Sequence, residues 1–211
     1  DNKIVIQQNT PSKTSQFYKM LLSSLGIHPA LRGTQINSRS LWQWINIIFN
    51  TVDKSRLRKV GPDRLCAEWV LKNGGAVRFT EHPKNLFRDY NMLPPDFRTK
   101  ITLKEIDATN SSIMTVGFAH LEGCGKIDRI IISNCKYIDN RGFHHMTSIN
   151  DSLKSLDITQ CQNVTESGLH ELKGLTKLQQ LTLKDLPAVK DLPGVATELR
   201  AHLTQCRIEV T

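Results

Sequence analysis

The eight residues CKYIDNRG, beginning at Cys135, return as CQNVTESG from Cys161, 26 residues later. A fixed period between about 20 and 50 residues is the mark of a chain built from stacked units, and it constrains the fold more than any composition figure. The flanks match as well. Ile130 and Ile132 stand five and three positions before Cys135, as Leu156 and Ile158 do before Cys161. Such alternation predicts a short strand with one buried face. After the closing glycines, Gly142 and Gly168, FHHMTSI and LHELKGL carry apolar residues at helical spacing. Weaker copies place Ile106, Ala108, Ser111 and Met114 in register upstream, and Leu181, Leu183, Leu186 and Val189 downstream, with Ser111 and Leu186 at the cysteine position.

Each unit is then a strand, a turn and a helix that cannot bury its own apolar face, and stacking buries the faces together. The pattern resembles leucine-rich repeats, most closely the cysteine-containing class. The predicted fold is α/β: a short leucine-rich-repeat solenoid of about four repeats over residues 101–211, with an N-terminal helical cap. In that arrangement Cys135 and Cys161 are structural repeat positions beneath the turns, because a free cysteine behaves as a small hydrophobe there. Replacing either with serine is expected to bury an unsatisfied hydroxyl.

The helical cap is read over residues 41–100. LWQWINIIFNTVDKSRLRKV carries Leu41, Ile45, Ile48 and Val52 on one helical stripe, with Trp42 and Phe49 beside it. GPDRLCAEWVLKNGG reads as a second helix: Pro62 suits its first turn, Asp63 its positive end, and Asn73-Gly74 its stop. Residues 42 and 44 are about 200° apart on a helix, so only one of Trp42 and Trp44 can face fully inward. The outward one, with Arg56, Arg58 and Lys59 following, is a candidate contact for a partner or an anionic membrane surface.

Residues 1–40 read as a transit peptide or leader. No Asp or Glu occurs between residues 2 and 52, and MLLSSLGIHPALRGTQINSRS is basic, serine-bearing and punctuated by leucine. The net charge of +8 is split evenly, +4 in residues 1–40 and +4 in the rest, which is too mild to point to nucleic acid. Five cysteines without paired spacing do not make a disulfide framework or a zinc site. LWQWINIIF, the longest apolar-rich run, is nine residues, against the roughly 20 of a spanning helix. No nucleophile elbow, phosphate loop, HExxH or paired-carboxylate motif is present, and the adjacent His144 and His145 point in different directions on a helix. No catalytic residue is assigned.

LWQWINIIFNTVD, VGPDR, AEWVLKNGGAVRF, DYNMLP, IDAT, GFAHLEG and CKYID together resemble the mitochondrial ATP synthase subunit s (coupling factor B) family, with the distal membrane arm assembly component 2 proteins as a related branch. The likeness runs from residue 41 onward. It implies a matrix-side peripheral protein of the mitochondrial inner membrane, not an enzyme, that supports proton conduction through the membrane sector of ATP synthase and limits proton leak. It implies a magnesium ion held by main-chain carbonyls, which fall on Gly74 in KNGGAVR and Thr109 in IDAT. The expected partner is the ATP synthase membrane sector or another inner-membrane respiratory complex, with the membrane surface itself and homo-oligomerisation both compatible. Two other functions fit the repeat: an assembly factor for the distal membrane arm of complex I, and a substrate adaptor of a ubiquitin ligase. The acid-free leader argues against the last. Some family members carry Cys-x-Cys where this chain has Ser133-Asn134-Cys135, so a dithiol property does not carry over.

Overall fold

The computed structural model describes the backbone of residues 38–211 and the side chains from residue 44 onward, so the transit-peptide reading of residues 1–40 and the side chain of Trp42 lie outside the described residues. Residues 42–211 form one compact unit. Three helices lead, α1 (Ser38–Asn50), α2 (Lys54–Val60) and α3 (Pro62–Lys72). Six strands follow in one sheet, in sequence order: β1 (Ala76–Phe79), β2 (Leu103–Asp107), β3 (Arg129–Ser133), β4 (Ser155–Thr159), β5 (Gln180–Lys184) and β6 (Arg207–Val210). Strand β1 is antiparallel to β2, and every later pair is parallel.

The parallel ladder places Ile106, Ile130, Leu156, Leu181 and Ile208 in one row and Ile132, Ile158, Leu183 and Val210 in another. These are the periodic positions read from the sequence, extended by a further strand, β6. Strand β1 was also not expected: AVRF pairs antiparallel with β2 where a helical cap was predicted. One long helix was predicted over residues 41–60, but the chain breaks after Asn50. Asp53 starts α2 by accepting from the Ser55 and Arg56 amides at 2.8 and 3.0 Å, an N-cap that outcompetes helix continuation.

One left-handed residue follows each of β2, β3, β4 and β5: Asn110, Asn134, Gln160 and Asp185, with φ between 51° and 56°. The next residue turns under the backbone. Cys135 donates its thiol to the Ala108 carbonyl at 2.9 Å and Cys161 to the Thr159 carbonyl at 3.3 Å, both fully buried. A serine at Cys135 therefore keeps an acceptor, and the hydroxyl expected to be unsatisfied is not; Ser111 already holds this place in the first unit, 3.8 Å from the Cys135 sulfur.

The recurring glycine has a packing cause. Neighbouring strands are about 4.8 Å apart, whereas an α-helix with its side chains is about 10 Å across. Returning segments stacked at strand spacing are crowded. The chain answers with narrow 3-10 helices at Thr115–Leu121 and Asn140–Ile149, a short α4 (Glu166–Glu171), and only at the end the longer α5 (Leu192–His202). A Cβ at Gly117 would lie 2.5 Å from the Trp69 Nε1, one at Gly142 3.0 Å from the Phe118 ring, and one at Gly168 2.9 Å from the Asn140 Cα.

Candidate functional site

The surfaces that can do chemistry lie on the helical segment and where it meets the first unit. Asn50, fully buried at the end of α1, ties them together. Its Oδ1 accepts from the Trp69 indole at 2.9 Å and the Met114 amide at 2.8 Å, and its amide group donates to the Asn46 carbonyl and the Asn73 Oδ1, each at 2.9 Å. Asn73, the C-cap of α3, donates to the Trp69 carbonyl, and its own carbonyl accepts from the Ser112 amide at 2.9 Å. A buried polar network satisfied at each atom fixes one relative position for the elements that make it. Here it holds α1 and α3 against the first strand-to-helix turn.

That fixing sets the outward face of α1. Ile45 is buried, while Trp44, Ile47 and Ile48 are 50%, 47% and 43% exposed. These three sit at i, i+3 and i+4, so they form one contiguous apolar patch. Ile45 and Ile48 were read on one helical stripe, but only Ile45 of the two is buried. Of the predicted contact residues, Arg58 and Lys59 are exposed on α2 and make no ion pair among the described residues. Arg56 is turned away from them: its Nη2 and Nε reach Glu68 at 2.6 and 3.1 Å, and its guanidinium stacks 4.5 Å from the Phe97 ring. Glu68 is 1% exposed and also receives the Arg64 Nε at 3.2 Å and, at 3.9 Å, the Lys72 ammonium. Burial lowers the Lys72 ammonium from its ordinary value, and the Glu68 hydrogen bond raises Arg56. Arg56 is thus bound within the fold, not offered to a surface.

The two expected carbonyl ligands, Gly74 and Thr109, lie just beyond the paired ends of β1 and β2. In the β1–β2 pair Ala76 faces Asp107 and Val77 faces Ile106, and Gly74 and Thr109 each stand two residues past that paired end, in turns. At Gly75 the two backbones are close: a Cβ there would lie 2.8 Å from the Asp107 carbonyl oxygen. Gly74 is exposed, adopts φ +83° and has open space around it. Neither the Gly74 nor the Thr109 carbonyl accepts a hydrogen bond among the described residues. Asp107 accepts from the Thr109 amide at 3.0 Å and lies 3.5 Å from Arg88. Neutral carbonyls, a nearby carboxylate and room for water suit a hard cation such as magnesium. Among the described residues no group of three or more His, Cys, Asp or Glu side chains could hold a metal.

Sequence reasoning missed a groove between α2 and the Thr115–Leu121 helix, lined by Val52, Lys54, Leu57, Arg58, Leu65, Ala119, His120 and Glu122. At its floor His120 stacks on Trp69, with centroids 4.9 Å apart and planes 4° from parallel, and its Nδ1 lies 2.8 Å from the Gly117 carbonyl. Burial lowers the His120 pKa, with the Gly117 carbonyl opposing. Among the thiols, the Cys161 thiol and burial push Cys135 up, burial pushes Cys66 far up, and burial alone raises Cys206 to about 11, whereas the hydrogen bond with Cys135 draws the fully buried Cys161 down.

An α/β stack of strand–turn–helix units closed at one end by helices is the class these features define. No family model matches the chain. Curated relatives do, among them the mitochondrial ATP synthase subunits s of Rattus norvegicus, 40% identical over 146 residues (68% of this chain, 72% of the relative), of Bos taurus, 38% over 149 residues (67% and 74%), and of Homo sapiens, 37% over 147 residues (68% and 72%). The chain belongs to the mitochondrial ATP synthase subunit s family.

Proposed function

We propose that this chain is a non-catalytic accessory component of mitochondrial ATP synthase, bound peripherally on the matrix side of the inner membrane. It supports proton conduction through the membrane sector and limits proton leak. Family membership supports the complex and the compartment. The observation that carries the docking mode is the exposed Trp44–Ile47–Ile48 patch on α1, with the unpaired Arg58 and Lys59 on the next helix. Tryptophan favours membrane–water interfaces, and each cation near an anionic surface adds about 1 kcal/mol. No described helix is long and apolar enough to cross a membrane. The stacked strands act as a leucine-rich-repeat scaffold whose exposed sheet face meets a soluble partner surface, and residues 1–40 deliver the chain to mitochondria. Magnesium held by the Gly74 and Thr109 carbonyls pins the end of α3 to the first turn.

Affinity purification of the tagged chain from mitochondria tests the reading. Enrichment of ATP synthase subunits, reduced at least tenfold by Trp44→Ala at unchanged melting temperature, is the expected result. Enrichment of complex I intermediates would assign the assembly role instead. A reporter carrying residues 20–40 should enter mitochondria. The ion is tested separately: magnesium should raise the melting temperature of chelator-treated protein, and sodium at equal ionic strength should not.

A further inference from the structure

We propose that the groove between α2 and the Thr115–Leu121 helix seats one acyl chain of an anionic phospholipid, with Lys54 and Arg58 holding its phosphate; this rests on the membrane-docking reading and specifies it. The groove has a cavity volume of about 400 Å³, within the roughly 300–1,000 Å³ of small-molecule sites. Val52, Leu57, Leu65 and Ala119 give it apolar walls. Lys54 and Arg58 are exposed and have no ion-pair partner among the described residues, although Arg56 between them is tied to Glu68. The segment thus turns one cation inward and leaves two beside an apolar trough.

The chemistry of the walls selects the occupant. A bound peptide must satisfy its own backbone amides and carbonyls, since burying them unpaired is costly. The polar lining here is two cations, the Glu122 carboxylate and His120, whose Nδ1 is already engaged with Gly117. An acyl chain brings no such groups, and its phosphate needs only the two cations. The groove also lies next in sequence to the docking face: α1, which carries Trp44 and Ile48 on the exposed patch, ends at Asn50, and Val52 two residues on stands in the groove wall.

Trp69, stacked on the groove-lining His120, provides the test. The chain has three tryptophans, at 42, 44 and 69, so a full-length Trp42→Phe/Trp44→Phe variant reports from Trp69 alone. A short-chain phosphatidic acid brominated on its acyl chain, kept below its micelle concentration, should quench this fluorescence saturably. Affinity should fall at least tenfold for the brominated phosphatidylcholine, for Arg58→Glu, and for Ala119→Leu, which fills the trough; circular dichroism confirms each variant is folded. Quenching that is absent, equal for the zwitterionic lipid, or abolished by millimolar inorganic phosphate alone would overturn the proposal, as would displacement of the lipid by an acidic amphipathic peptide at lower concentration. Flotation of the unmodified chain with vesicles, and its loss in Trp44→Ala, reports on membrane docking independently.

Discussion

At the left-handed position that follows each of β2 to β5, the side chain decides how much backbone strain is stored. Asparagine and aspartate visit that region readily, while other L-residues pay roughly 1–2 kcal/mol. Asn110, Asn134 and Asp185 follow the preference, and Gln160 at φ 54° does not. Gln160 is exposed and its amide donates to the Lys184 carbonyl at 3.0 Å, a bond any residue there would keep. Gln160→Asn should stabilise the protein by about 0.5–1 kcal/mol, seen as a higher denaturant midpoint at unchanged slope. An opposite test of the same economy lies at Gly117. A methyl there meets the Trp69 indole at 2.5–2.6 Å, and that ring is held by Asn50 and His120. Gly117→Ala should cost about 1–3 kcal/mol, the usual penalty of overpacking, with a change in Trp69 near-ultraviolet dichroism.

Among the elements, the joint between helices and sheet depends on single polar side chains. Removing the Asn50 amide leaves the Trp69 indole and the Met114 amide without an acceptor in a closed interior. Asn50→Leu should therefore destabilise by about 2–4 kcal/mol, at one to two per orphaned donor, and differential scanning calorimetry would register it. This joint was not legible in the sequence. Asn50 reads as one more helical residue, and its partners lie 19, 23 and 64 positions away. The stacked strands were legible because their cause is periodic: a two-residue alternation repeated in each unit. Strand β1 escaped because it runs antiparallel and outside the repeat, and β6 because its Ile208–Val210 alternation is followed at once by the end of the sequence, with no turn or helix to complete a unit. At the candidate sites, the requirement that Trp42 and Trp44 face apart could be stated from helix geometry, but that Trp44 is exposed required the position of Asn50. The sequestration of Arg56 was hidden because Glu68 stands 12 residues on, in another helix. The groove was hidden because its two walls come from α2 and from a 3-10 helix some 60 residues later.

The whole molecule should respond to mild acid through histidine. Burial holds His120 below its ordinary value, so the unfolded chain binds this proton more readily than the folded one. Its contribution is complete above about pH 6.5 and is lost as pH falls toward the lower folded value. His145, also lowered by burial and by His144, acts with the same sign. Urea denaturation at pH 7.5 and 5.5 should show lower stability at the acidic value. His120→Gln, which can still donate to the Gly117 carbonyl, should reduce that difference without abolishing it.

The sheet is finished at both ends by different means. At one end β1 reverses direction, and Val77 exchanges both its outward main-chain bonds with Phe87, at 2.9 and 2.8 Å. At the other, Arg200 donates to the Ile208 carbonyl on the last strand at 3.0 Å. Between these seals the joints are alike: the Asp128 amide donates to Lys104, the Lys154 amide to Asp128, and the Gln179 amide to Lys154. The chain is therefore free to change length only in its interior and only by whole periods. A gene that duplicated or lost residues 129–154 would present matching joints on either side of the cut and leave both seals in place, whereas a shift of a few residues, or any loss that includes an end, would uncover the open edge of a parallel sheet.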